Sequence, residues 1–331
     1  MIGVVIVTYC ASDVIRGCLD SLIASEGEPL RVILVDNASP DDTVATITNW
    51  ASETGADFTD LSTDPGPLAH FSLLRSELNR GFAGGVNLGL ERLLQEPDCT
   101  MLWLLNPDCE VDPTAANPFR EKARSVGPFA LMGSRILYSE KPGLIQSDGG
   151  LVGRWSGICR NINQGKDPAG TTRPTPKELD FISGASVVAS RDFVTDVGRM
   201  TEDYFLYYEE VDWAARRGTL PLVLCEDAVI RHHGGTAIGT GSVTRLASPF
   251  ALYFNNRNRM RYMARFHPAG LPFAYLASLA RIAKLAGMRA WAEAWSALLA
   301  LHQLGPPRAV REVLSPEAAA LAFGPQGRRD G

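Results

Sequence analysis

The segment IGVVIVTY, Ile2 to Tyr9, is an unbroken, β-branched run of the kind found in a strand buried on both faces. Outward from it, Val14, Ile15, Cys18, Leu19, Leu22 and Ile23 recur at helical spacing, with Ser12 the expected N-cap. RVILVDN, Arg31 to Asn37, is a second buried strand. Ser39, Pro40 and Asp42 after it match an N-cap, a helix-opening proline and the acidic partner of a capping box. Strand, helix and strand in this order make a βαβ unit with a right-handed crossover, so the chain reads as α/β with a mostly parallel central sheet flanked by helices.

The pattern continues with strands over His70 to Leu74 and Met101 to Leu105, and a helix over Gly84 to Leu94 between them. Phe181 to Ser190 and Leu220 to Ile230 read as later strands, and Asp148 to Lys177, rich in Gly, Pro, Arg and Asn, as long loops or a β excursion over the site. With 331 residues, 45% of them apolar, the chain can bury one large domain plus an appendage, or two domains. Six cysteines without CxxC spacing indicate neither a zinc ribbon nor a disulfide framework, and a reducing cytoplasm fits best. No basic leader or cleavage site precedes Ile2, so export by a signal peptide is not expected. The apolar region Ala269 to Leu304 is interrupted by Arg281, Lys284, Arg289 and Glu293, short of the roughly 18 apolar residues a spanning helix needs.

Charge is unevenly spread: residues 245–331 carry 12 Lys+Arg against 4 Asp+Glu, leaving 20 against 33 in residues 1–244. An acidic body argues against nucleic acid as a partner, whereas a basic tail suits an anionic lipid surface or a phosphate-bearing acceptor.

Polar clusters stand where an open parallel sheet exposes its strand ends. Thr8 and Tyr9 close the first strand and Asp36 and Asn37 the second, placed to read a base and ribose or simply to make a turn. NRGFAGGVNLGL, Asn79 to Leu90, opens a helix with Gly81, Gly84, Gly85 and Gly89, a setting that favours an anion such as a pyrophosphate. Its spacing is not the dinucleotide fingerprint, which weakens an oxidoreductase reading. LLNPDCEVDP delivers Asn106, Asp108, Glu110 and Asp112 after a buried strand, and Asp108 beside a diphosphate would give a hard divalent cation its oxygens. His232 and His233 are candidates for a further metal ligand. YFLYYEEVDWAARRG, Tyr204 to Gly218, sets Glu209, Glu210 and Asp212 beside Trp213 in an apolar surround, where a desolvated acid is costly unless chemistry or a partner uses it; Glu209 pairing with Arg216 on an amphipathic helix is the structural alternative.

In order, VVIVTY, VDNASPDDT, NRGFAGGVNLG, LLNPD, SDGG at 147–150, FISGASVVASRD, YFLYYEEVDW, HHGG and FNNRNRM at 254–260 resemble family 2 glycosyltransferases of the GT-A fold, most closely the rhamnosyltransferase-like branch. The resemblance spans about 260 residues in order, and it implies a GT-A domain over 1–244, with a nucleotide-sugar half to about 112 and an acceptor half after it, followed by a basic, helical C-terminal region over 245–331. It implies nucleoside contacts at Thr8, Tyr9, Asp36 and Asn37, diphosphate and sugar contacts at Asn79, Gly81, Gly84, Asn87 and Asn106, and Mg2+ or Mn2+ on Asp108 and His232. Glu210 takes the place of the catalytic base, where the family usually has aspartate, and Glu209, Asp212 and Trp213 lie toward the acceptor. The implied activity is inverting transfer from a nucleoside-diphosphate sugar to a saccharide or polyprenyl-diphosphate-linked acceptor. Arg257, Arg259, Arg261 and Arg265, alternating with apolar residues, and the region after them are expected to meet an anionic membrane at its cytoplasmic face. A sugar-nucleotide nucleotidyltransferase is the rival enzyme, disfavoured because VTYCASD holds no Lys or Arg to clamp phosphate.

Overall fold

Alternation along β1 (Ile2–Thr8) divides the core: Ile2, Val4 and Ile6 pack on one face of the sheet and Val5 and Val7 on the other. The computed structural model describes residues 1–64, 66–234 and 246–324. Helix α1 (Ile15–Ile23) leads to β2 (Leu30–Asp36), α2 (Thr43–Thr54) to β3 (Phe58–Asp60) and β4 (Phe71–Arg75), and α3 (Gly81–Leu93) to β5 (Met101–Leu105). These five strands are parallel in the order β3-β4-β2-β1-β5. Helices α1 and α2 cover the Ile2 face, where Trp50 is fully buried, and α3 covers the other. Gly85 and Gly89 allow that approach: a Cβ at either would stand 2.6 or 2.5 Å from a methyl of Val7 or Val5.

The chain continues through β6 (Cys109–Val111), α4 (Ala116–Val126), β7 (Leu131–Tyr138), β8 (Ile145–Ser147), β9 (Gly150–Val152), β10 (Cys159–Asn161), β11 (Ser186–Ser190), α5 (Arg191–Val197), α6 (Glu209–Ala215) and β12 (Leu222–His232). Strand β11 enters antiparallel between β5 and β7, and β12 runs parallel to β7 and antiparallel to β6. Helices α7 (Pro249–Phe266), α8 (Leu271–Gly287), α9 (Trp291–Leu301), α10 (Arg308–Arg311) and α11 (Pro316–Phe323) complete the fold. The boundary expected after residue 244 lies outside the described residues.

Two expected caps are not caps. Helix α1 starts only at Ile15, and α2 at Thr43. Ser12 and Ser39 instead tie the loops after β1 and β2 together: Ser12 N donates to Asp41 Oδ2 at 3.3 Å and Cys10 N to Ser39 Oγ at 3.2 Å, beside Ala11 N to Thr43 Oγ1 at 2.8 Å. Bonds between neighbouring strand ends outweigh the local capping signal. Only Ser186–Ser190 of the strand expected from Phe181 pairs in the main sheet; Phe181 bridges Gly150 alone, and the chain turns at Ser183–Ser186. The 148–177 excursion contains the β9–β10 hairpin, anchored by Asp148, which is fully buried and receives Arg135 Nε and Nη2 and Asn163 Nδ2, each at 2.9 Å.

Candidate active site

The carboxyl ends of β1, β2 and β4 open on a cleft of about 410 Å³ lined by Tyr9, Ala38, Glu77, Leu78, Asn79, Ser315 and Glu317. Buried Thr8 donates to Asp36 Oδ1 at 3.2 Å, and Asp36 Oδ2 accepts from Ser39 N at 3.1 Å, which fixes the carboxylate at the strand end. Asn37 is turned inward: its amide donates to Asn79 Oδ1 at 3.1 Å and Gly81 O at 2.9 Å, and its carbonyl accepts from Arg80 N at 3.0 Å. Asn87 is likewise spent, donating to Met200 O and Glu202 Oε1 at 2.9 Å and accepting from Met200 N at 3.0 Å. Both shape the loops around the cleft rather than face a ligand. Gly81 meets a double constraint, φ +75° and a would-be Cβ 2.2 Å from Phe205 O. Ser315 and Glu317, at the start of α11, carry no local sequence signal for a place beside the ends of the first two strands.

Beyond β5, Asp108 is 8% exposed, with Oδ1 3.1 Å from His232 Nε2 and Oδ2 accepting from Gly234 N at 3.1 Å. Burial alone would raise its carboxyl, but the hydrogen bond and charge of His232, with backbone N–H groups, outweigh it and hold the acid below the usual range. His232 Nδ1 meets Gln146 Oε1 at 2.6 Å, which turns Nε2 toward Asp108. Asn106 Nδ2 is 3.5 Å from the same nitrogen. This donor set fits a hard divalent cation that takes its remaining oxygens from a diphosphate. Cys109 lies within 4.8 Å of the pair, but its buried thiol contacts Ala185 O at 3.4 Å and burial pushes it well up, so it is no ligand for such an ion.

The acidic helix is preceded by Phe205, Tyr207 and Tyr208 at φ +62°, +66° and +75°, a left-handed run that bulky residues avoid unless they are held. What holds it is α7. Asn258 Nδ2 faces the carbonyls of Tyr204, Leu206 and Tyr207 at 2.8, 2.7 and 3.0 Å, and Arg257 donates to Tyr204 O at 3.0 Å and Ala322 O at 2.6 Å. Arg257 and Arg259 are each 2% exposed, Arg265 pairs with Asp212 at 2.8 Å, and Arg261 donates to Asp203 O at 2.8 Å. Of the α7 arginines expected at a membrane, Arg257 and Arg259 therefore serve the interior, while Arg261 and Arg265 keep surface exposure. Arg257 and Asn258 lie in the FNNRNRM motif, which was the available signal for this clamp.

Of the acidic cluster, Asp212 is fully buried and held by Arg216, Arg265, Thr201 and Tyr204, and Trp213 is fully buried with Nε1 on Gly198 O at 2.9 Å and its ring against Phe193. Neither offers surface to an acceptor, contrary to expectation. Arg216 pairs with Asp212 and not with Glu209. Glu209 is buried with Oε2 unpartnered, and burial next to Glu210 pushes it well above the carboxylate range. Glu210 is partly exposed and burial raises it to about 7. Its Cγ lies 3.8 Å from where a Cβ on Gly184 would stand, and the adjoining Ala185 accepts from Asn106 N at 2.9 Å. Glu210 and the Asn106–Asp108 turn thus flank one short loop.

A family model described as glycosyl transferase family 2 matches residues 3–187. The low-salt glycan biosynthesis hexosyltransferase Agl10 of Haloferax volcanii is 24% identical over 262 residues, 78% of this chain and 74% of its own. The mannosyltransferase PcManGT from Pyrobaculum calidifontis, solved with GDP-Man and Mn2+, superposes with a TM-score of 0.51 at 18% identity, over 97% of this chain and 77% of its own. TarS 1-349 of S. aureus, solved with UDP-GlcNAc, gives a TM-score of 0.52 at 13% identity, over 98% of this chain and 88% of its own. At these identities the likeness to the solved structures is one of fold.

Proposed function

The chain belongs to glycosyl transferase family 2, and on that premise we propose that it is a metal-dependent, inverting hexosyltransferase. It moves a sugar from a nucleoside-diphosphate donor to a hydroxyl of a saccharide or polyprenyl-diphosphate-linked acceptor in surface polysaccharide assembly. The observation that carries this reading is that two unlike acids flank the Gly184–Ala185 loop: Glu210, raised to about 7, beside Gly184, and Asp108, held anionic beside His232, on the turn whose Asn106 N–H bonds Ala185 O. Family membership and the hexosyltransferase relative support it.

Tyr9 and Asn79 line the cleft that takes the nucleoside, with Asp36 fixed at the strand end by buried Thr8, while Asn37 and Asn87 keep the surrounding loops in shape. Asn106, Asp108 and His232 would hold Mg2+ or Mn2+ against the diphosphate. When bound, such an ion neutralises charge on the departing nucleoside diphosphate. Glu210 accepts the proton of the acceptor hydroxyl as that oxygen attacks the anomeric carbon, a role for which a carboxylate near 7 is well matched. Burial pushes Glu209 well above the carboxylate range, so of the two adjacent acids Glu210 is the more readily ionised.

For the donor we favour a dTDP-deoxyhexose such as dTDP-L-rhamnose, then a UDP-hexose, on the motif resemblance. Thermal shifts with dTDP-, UDP- and GDP-sugars, with and without Mn2+, test this, since a ligand at 100 times its Kd stabilises by about 2.7 kcal/mol. Stabilisation by GDP-sugars alone overturns the donor choice, and stabilisation by none overturns the transferase reading.

A further inference from the structure

Arg257 and Arg259 of α7 turn inward, and the outer side of the helices that follow carries large apolar side chains. Phe273 and Leu276 on α8, Met288 after it, and Trp291 and Trp295 on α9 are each more than half exposed, as is Trp155, whose ring meets Phe273 edge-on at 5.4 Å. Trp291 and Trp295 share one helical face at i, i+4. Three of the six tryptophans thus stand outside, and the other three, Trp50, Trp103 and Trp213, are fully buried. A soluble monomer rarely leaves so many large apolar side chains together in water.

The charged neighbours are of one sign. Arg154, Arg281, Lys284 and Arg289 are exposed and form no ion pair among the described residues, and from 267 to 304 the single acid is Glu293. No described helix is long and apolar enough to cross a membrane. Tryptophan flanked by basic residues on an amphipathic surface is the composition that settles at the level of lipid head groups. We propose that the outer side of α8 and α9, with Trp155, docks on an anionic lipid bilayer.

One turn joins this face to the acidic helix. Gly153 N donates to Ile158 O at 2.9 Å; the turn presents Trp155 outward and Gly157 inward, where the Gly157 carbonyl accepts from Tyr208 OH at 2.7 Å. Tyr208 immediately precedes Glu209 and Glu210. A docked molecule would therefore hold Glu210 near the lipid head groups, where the sugar of a polyprenyl-linked acceptor emerges. That last step rests on the transferase reading, whereas the docking does not.

The test is co-sedimentation of the full chain with vesicles of phosphatidylcholine alone and of phosphatidylcholine mixed with phosphatidylglycerol, with tryptophan emission recorded. The expected result is binding to the mixed vesicles only, a blue shift of emission, and release at high salt, where the screening length falls from about 10 Å at 0.1 M to about 3 Å at 1 M. Each basic residue near such a surface strengthens binding about fivefold, so Arg281→Gln, Lys284→Gln and Arg289→Gln together should weaken it about 10²-fold. Trp291→Ser with Trp295→Ser should remove most of the blue shift while near-ultraviolet dichroism from the buried tryptophans persists. No binding to either vesicle overturns the proposal, as does equal binding to neutral vesicles in high salt. A dimer in light scattering that these serine substitutions dissolve, without vesicle binding, gives the face to a second copy of the chain and overturns it too. Because binding is read without turnover, loss of the transferase reading would leave these results standing.

Discussion

Two regions of the molecule carry left-handed backbone beside the candidate site, and they are held by opposite means. At the ends of β1 and β2 it falls on Cys10 and Ala38, small residues fixed by bonds between neighbouring loops. Ahead of α6 it falls on Phe205, Tyr207 and Tyr208, fixed by Asn258 and Arg257 from a helix some fifty residues further on. The loops of the donor edge are thus held by bonds between neighbouring strand ends, whereas the position of Glu210 depends on α7. The two should fail separately.

The largest effect comes from the sheet edge. Asp108→Ala removes an acid positioned by His232 and Gly234, and transfer should drop about 10³-fold, as removing one charge-stabilising group can cost. EDTA should do the same to the native protein, reversed by Mn2+, and full activity in EDTA would remove the metal from the account. Next, Asn258→Ala orphans up to three buried carbonyls and should cost about 2–4 kcal/mol in chemical denaturation. Turnover should fall with it while the Kd for the nucleotide donor, measured on the folded protein, holds; equal loss of both would erase the distinction between the regions.

Gly81 is where they touch. Gly81→Ala at φ +75° against Phe205 O should destabilise by about 1–3 kcal/mol and, unlike Asn258→Ala, should disturb donor binding and turnover together. The smallest effect is expected at Glu317, exposed on α11 in the cleft wall: Glu317→Gln should change the donor KM by a few-fold, within about 1 kcal/mol, and leave kcat alone.

What could be read beforehand follows the same division. Ile2–Tyr9 and Arg31–Asn37 declare themselves because strands buried on both faces must be apolar without interruption. Asp108 declares itself because polar residues begin abruptly after a buried strand, and the acidic run at 209–212 because desolvated acids among aromatics are costly. Direction is another matter. Asn37 and Asn87 read as ligand contacts, but an amide looks the same in sequence whether it faces a cleft or satisfies a loop. Arg257 and Arg259 look like surface residues until the carbonyls they serve are in place, and Trp213 could equally have been anchor or platform. Ser12 and Ser39 follow local capping rules that tertiary bonds override.

The central claim is that Glu210, raised to about 7 by burial, is the base. A raised carboxyl is neutral below its pKa, so kcat should climb as pH rises through about 7 and level above it. The associated stability is fully present below the ordinary glutamate range and is lost as pH rises through about 7. The most direct test is the pH dependence of kcat for the native chain and Glu210→Gln, with donor affinity measured alongside. The account predicts an acid limb near 7 in the native protein, and in the variant a drop of about 10²-fold or more, no limb, and unchanged donor binding. A Glu210→Gln protein that retains both its turnover and its acid limb, while Glu209→Gln loses them, would contradict it.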